Sequence, residues 1–182
     1  MSTVADRYRR LAAEVTRRVA AVPADRWDDP SPCEGWSARA VLQHLLDSHR
    51  DMPAHVGRTV ATDVPVADDP VGAWAQARDG LQALLDDPAT ATLEYDGYFG
   101  RTSLEKTVDG FLCLDLLVHG WDIAKATGGD VTLPADEVER VSQTAQGLGD
   151  SIRMEGVCGP PVTVADDATA QDRLLAHLGR TP

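Results

Sequence analysis

Asp115 and His119 stand four apart in a run that is apolar nearly all round, through Val108, Phe111, Leu112, Leu114, Leu116, Leu117, Val118, Trp121 and Ile123. That spacing places both on one face of a helix, the face of Val108, Phe111, Leu112 and Ile123. A carboxylate buried there without a partner would be costly or would bind a proton. The pair therefore demands a partner. A divalent metal would satisfy both side chains at once; an Asp–His hydrogen bond or an arginine would also serve, and the pair alone leaves these alternatives open.

A third ligand has to come from another helix, and the segment after Ser37 offers His44 and His49, with His55 just beyond it. On a helical wheel the face of Ala38, Val41, Leu42, Leu45 and Met52 holds His49 near its centre and His44 on its flank, so periodicity favours His49. A flank position at a helix–helix seam can still reach the axis of a bundle. His177 reads as a solvent-facing residue or a partner for a helix C-terminus. Cys33 has no adjacent Lys, Arg or His and reads as a structural loop cysteine, while Cys113 points to another face than Asp115 and reads as packed. Asp122, three past His119, is placed to orient a ligand, or else to cap or to pair with Lys125 or an arginine. Trp36 and Trp121 read as core or pocket wall.

Helices must position these groups. Val4, Tyr8, Leu11, Ala12, Val15, Val19 and Ala20 recur at helical spacing, with arginines expected on the opposite face. The stretch from Asp28 to Trp36 is broken by Pro30, Pro32 and Gly35, after which Ser37 caps a second helix with Pro53 near its end. Asp69-Pro70 opens a third helix that Asp86-Asp87-Pro88 stops. Residues 89–102 predict a short hairpin or irregular loop. Ser103 caps a fourth helix running to Thr127, where Gly128 and Gly129 supply the stop. Pro134 opens a fifth to about Ile152, and Thr169 caps a short last one ending at Gly179. Helices joined by loops, with little strand signal, read as an all-α bundle.

With 182 residues the chain can hold one core without staples, and a single domain over 1–182 is expected. The 17 Lys and Arg against 29 Asp and Glu leave a net charge of −12, with no basic stripe, which makes nucleic acid a poor partner. Three scattered cysteines form neither a disulfide framework nor a CxxC clip. Asp6 and Glu14 interrupt the apolar positions of the first segment, so neither a signal peptide nor a membrane helix is expected, and the protein is expected in the cytoplasm. An acidic bundle with exposed tryptophans is compatible with a homodimer.

Three motifs in order carry a family likeness: Pro32-Cys33-Glu34-Gly35-Trp36-Ser37 leading into Val41-Leu42-Gln43-His44-Leu45, then Leu116-Leu117-Val118-His119-Gly120-Trp121-Asp122-Ile123-Ala124, then Gln171-Asp172-Arg173-Leu174-Leu175-Ala176-His177-Leu178-Gly179-Arg180. Together they resemble the DinB-like superfamily over essentially the whole chain, in the actinobacterial metal-binding branch related to the N-terminal domain of mycothiol-dependent maleylpyruvate isomerase. The resemblance implies a DinB-like four-helix bundle, here with additional C-terminal helices. It also implies a divalent metal, zinc or nickel, held by His44 and by the Asp115 and His119 pair, which leaves His49 as a packed or supporting histidine. Asp115 stands where the isomerase branch has Glu, one methylene longer, and no counterpart of the isomerase's added C-terminal domain is seen, so maleylpyruvate isomerisation itself is not expected. The implied activity is that of a metal-dependent thiol S-transferase or thiol-assisted isomerase, with mycothiol as cosubstrate and a small electrophile as partner. A non-catalytic metal- or small-ligand-binding bundle is the alternative, and no catalytic residue is assigned.

Overall fold

Thr3 closes a capping box on the first helix, α1 (Val4–Ala21): the Asp6 N–H donates to Thr3 Oγ1 at 3.1 Å, and the Asp6 carboxylate accepts from the Thr3 N–H at 3.2 Å. The apolar stripe from Tyr8 to Val19 is buried, as its periodicity predicts, while Ala20, expected on the same face, is exposed near the helix end. The arginines do not all lie on the outer face. Arg7 and Arg18 are buried as well, and Arg7 Nη1 donates to the Asp109 carbonyl at 2.6 Å and its carboxylate at 2.9 Å. The fold is seen in a computed structural model that describes residues 3–154 and 157–182, so residues 1, 2, 155 and 156 of the expected 1–182 domain lie outside the described residues.

Ser37 starts α2 (Ala38–Ala54) by accepting from the Ala40 N–H at 3.3 Å, and Pro53 sits in the last turn. Asp69 caps α3 (Pro70–Asp86), with Pro70 at the position where a missing N–H does no harm. After the single turn α4 (Pro88–Ala91), the expected hairpin forms from β1 (Glu94–Gly97) and β2 (Gly100–Ser103), antiparallel, with Tyr98 and Phe99 at its tip.

The segment from Ser103 to Thr127 is helical throughout but is not one α-helix. Here α5 (Leu104–Thr107) passes into a π turn, Val108–Leu112, and then into α6 (Cys113–Thr127). Gly110, a poor helix former, lies in that turn, and a side chain there would meet nothing within 4 Å. The wider turn shifts the phase of the helix. Phe111 is consequently 38% exposed, not part of a buried stripe with Val108, Leu112 and Ile123. The left-handed stop is Gly128, at φ +76°.

Helices α1, α2, α3 and α6 form a four-helix bundle in which α1 and α2 each pack on both α3 and α6. The protein is all-α and DinB-like in architecture, and the hairpin is the only sheet among the described residues. Tyr8, Leu42, Leu45, Trp74, Leu81, Leu116 and Leu117 fill the core. Each aliphatic side chain among them contributes about 1.5–3 kcal/mol by leaving water. Trp27, Trp74 and Trp121 are buried, which corrects the expectation of exposed tryptophans to one residue, Trp36.

The chain forms two compact units, Met1–Asp130 and Val131–Pro182. Within the second, α7 (Ala135–Leu148) packs on α8 (Ala170–His177), and Val138, Val141, Leu174 and Leu175 are buried. The fifth helix stops short of Ile152 because Gly149 takes φ +52°, after which Gly149–Arg153 tightens into a 3-10 turn. Thr169 caps α8 as expected, and His177 in its last turn is half-buried, not solvent-facing. Among the described residues no helix is long and apolar enough to cross a membrane.

Candidate functional site

Pro30 and Pro32 stiffen the loop ahead of α2, and the loop folds back on itself: the Ser31 N–H donates to the Trp36 carbonyl at 2.8 Å, and the Trp36 N–H to the Cys33 carbonyl at 3.0 Å. Gly35 makes the turn possible, at φ +78°. Cys33 and Trp36 are thereby delivered to α6. The Trp36 ring lies 6.3 Å from that of His119, within 24° of parallel, and 5.2 Å from that of His44.

Helix α2 supplies His44 and α6 supplies Asp115 and His119. Ligand-type atoms of the three side chains lie within 4.8 Å of one another, and the two imidazoles meet edge to face at 5.0 Å. The His44 Nε2 is 3.7 Å from Asp115 Oδ2. This polar contact with the carboxylate raises the His44 pKa above its usual value, against burial, which lowers it. The site is not sealed: the side chains of His44 and Asp115 are 35% and 25% exposed, so Asp115 is less buried than its apolar neighbours in sequence suggest. Two imidazoles and one carboxylate converging from two helices have the donor chemistry of an open divalent-metal position.

Asp122 lies under this cluster, fully buried, and its Oδ2 accepts from His119 Nδ1–H at 2.9 Å. Of the roles its spacing allows, this contact fits the orienting of His119. A proton fixed on Nδ1 leaves the Nε2 lone pair free for a ligand. The same Oδ2 accepts from the Cys33 thiol at 3.2 Å, and Cys33 Sγ is 3.9 Å from His119 Nδ1. Cys33, read from sequence as a structural loop cysteine, thus lies against two residues of α6 that adjoin the cluster. No charged neighbour in sequence betrays it, because its partners come from α6, more than eighty residues on. The available signal is the tight Pro-Cys-Glu-Gly-Trp turn joined directly to the helix that carries His44. Cys113 is buried, as expected of a packed residue, and Trp36 is the wall while Trp121 is core.

His49, the residue favoured by the wheel, is elsewhere. Its Nδ1–H donates to the Leu45 carbonyl at 2.6 Å and its Nε2 accepts from the Tyr8 hydroxyl at 2.9 Å, with the Trp74 ring edge-on at 5.2 Å. Both ring nitrogens are engaged inside the bundle. Helix α2 has two buried seams, toward α3 and toward α6, and a wheel reports only their average. His55 ends α2 stacked on Tyr95, also apart from the cluster.

The family of the mycothiol maleylpyruvate isomerase N-terminal domain matches residues 8–124, a span that holds every residue of this cluster. Two uncharacterized proteins of Mycobacterium tuberculosis, MT0763 of strain CDC 1551 / Oshkosh and Rv0738 of strain ATCC 25618 / H37Rv, are each 28% identical over 173 residues, covering 90% of this chain and 90% of their own. No solved structure matches at a significant level.

Proposed function

Because the chain belongs to the family of the mycothiol maleylpyruvate isomerase N-terminal domain, we propose that it is a divalent-metal-dependent thiol S-transferase or thiol-assisted isomerase that joins mycothiol to a small electrophile. The observation that carries this reading is the convergence of His44, Asp115 and His119 from two helices, with solvent still reaching two of them. Those three residues would hold the ion, zinc in the first place and nickel as the alternative. A divalent ion there supplies positive charge that lowers the pKa of an incoming thiol toward neutrality.

The remaining work falls to the chain's own side chains. Asp122 keeps the His119 proton on Nδ1 and its ring in one orientation. Against a divalent ion, two neutral imidazoles and the one carboxylate of Asp115 would leave one positive charge uncompensated, so the loaded site would favour a group that becomes an anion as it loses its proton. The Trp36 ring lies beside both imidazoles and gives them an apolar neighbour on one side.

Metal analysis of protein purified without added metal, followed by cobalt substitution, tests the reading. About one equivalent of divalent ion is expected, and mycothiol should add an intense sulfur-to-cobalt charge-transfer band. If millimolar mycothiol, bacillithiol and glutathione all leave the cobalt spectrum unchanged, the protein is a binding bundle and not a thiol transferase. In the same assay Asp122→Asn, which removes the charge while keeping an acceptor, should weaken metal affinity by roughly 10- to 100-fold with the helical circular dichroism unchanged. Unaltered affinity would remove Asp122 from its orienting role.

A further inference from the structure

We propose that Cys33, Asp122 and the Nδ1 of His119 form a second metal site, for a thiophilic divalent ion such as zinc, which shares the His119 ring with the His44–Asp115–His119 cluster. This site goes beyond the functional reading above and uses one of its residues.

An imidazole carries two donor nitrogens, and the His119 ring belongs to two groups of ligand-type atoms, one with His44 and Asp115 and one with Cys33 and Asp122. On the Nδ1 side, Asp122 Oδ2 lies at 2.9 Å and Cys33 Sγ at 3.9 Å, with 3.2 Å between the sulfur and that carboxylate oxygen. One ion can reach three atoms so spaced at the bond lengths of zinc, about 2.3 Å to sulfur and about 2.0–2.2 Å to nitrogen and oxygen. The triangle is already assembled.

Its donors also sit on stiff elements. His119 and Asp122 are about one turn apart on α6, while Cys33 is fixed through its backbone: its carbonyl accepts from the Trp36 N–H at 3.0 Å and its N–H donates to Ser31 Oγ at 3.2 Å. Little ordering is left to do when an ion binds. Asp122 is fully buried, His119 is 8% exposed and Cys33 is half-buried, so the ion enters beside the sulfur. Three protein donors leave a tetrahedral ion one open position.

Charge and softness set the order of filling and the kind of ion. With the first cluster alone loaded, Asp122 holds the Nδ1 proton of His119; an ion in the triangle displaces that proton and the thiol proton to solvent, and meets a thiolate, a ring nitrogen and a carboxylate. Loss of two protons places this site behind the first in affinity, so it fills when metal is in excess. A thiolate among the donors selects zinc-like ions over magnesium and calcium, which take sets of oxygens.

Excess cobalt added to the reduced, metal-free full-length chain, with no small thiol present, reads the site directly. A sulfur-to-cobalt charge-transfer band is expected, kept in His44→Ala and Asp115→Ala and absent in Cys33→Ser with the helical circular dichroism unchanged. His119→Ala should weaken the cobalt affinity read from that band by more than about 100-fold. In the parent protein, saturating cadmium should slow alkylation of Cys33 by iodoacetamide by about tenfold or more, measured peptide by peptide. No band in the reduced parent at millimolar cobalt, a band that survives in Cys33→Ser, or alkylation of Cys33 indifferent to cadmium overturns the inference. The two readings fail separately: a band that needs Cys33 in a protein that binds no mycothiol leaves this site standing, and a band that appears only on adding mycothiol, in the parent and Cys33→Ser alike, leaves the transferase reading alone.

Discussion

Replacement of His44, Asp115 or His119 by Ala is expected to strip the protein of stoichiometric divalent metal, while His49→Ala and His49→Gln retain it. Loss of a partner one shell out costs about 10- to 100-fold in affinity, so loss of a direct donor from a set of three should exceed that range. His49 has nothing to give: one nitrogen donates to Leu45, the other accepts from Tyr8, and its ring is packed against Trp74. Metal content measured on the five purified variants decides the matter. If His49→Gln empties the site and His44→Ala leaves it filled, the ligands are misassigned.

The largest pH effect is expected from the same buried His49. Burial pushes its pKa down to about 4, from an ordinary 6.5, because an imidazolium there would lose its hydration and its Nε2 would no longer accept from Tyr8. In the unfolded chain the imidazole takes up a proton as pH falls through 6.5; in the folded chain it does so only near 4. Between those values the unfolded state binds more protons, so stability rises with pH. The contribution is fully present above pH 6.5 and is lost as pH falls toward 4, by about 3 kcal/mol in all. Denaturant unfolding at pH 7 and pH 4.5 should show a markedly larger difference in the parent than in His49→Gln, which cannot titrate. Equal differences in the two proteins would show that His49 is not the group responsible. Tyr8 supports the neutral form from the other side, since burial raises its own pKa well above the usual value and keeps the hydroxyl protonated.

Local rules account for the parts of the fold that were legible. Ser37, Asp69, Ser103 and Thr169 start helices where an Oγ or carboxylate can take an orphan N–H, and Gly128 ends one where only a left-handed residue fits. The Asp115 and His119 pair was visible because ionisable groups stand out against an apolar helix. Periodicity did not show which histidine joins them, because residues on one helix that face different neighbours share a single periodicity, and it was the motif likeness that pointed to His44. Cys33 was hidden for a related reason: its environment is made by a loop closing onto a helix far along the chain, and only tertiary structure brings Asp122 to the thiol. The π turn has no periodic signature at all, since one added residue in the ladder leaves the apolar pattern on both sides intact.

That turn also has a consequence for how the molecule can change. Because Val108–Leu112 is a wide turn, the chain ahead of it, with the hairpin, is phased independently of the chain behind it, with Asp115, His119 and Asp122. Removal of Gly110 would restore an ordinary helix and change the phase of the chain ahead of it, with the hairpin and Phe99, relative to Phe111 and Asp115, which keep their four-residue spacing. A one-residue change in length at Gly110 is thus a way for this scaffold to re-aim the hairpin without disturbing the cluster on α6.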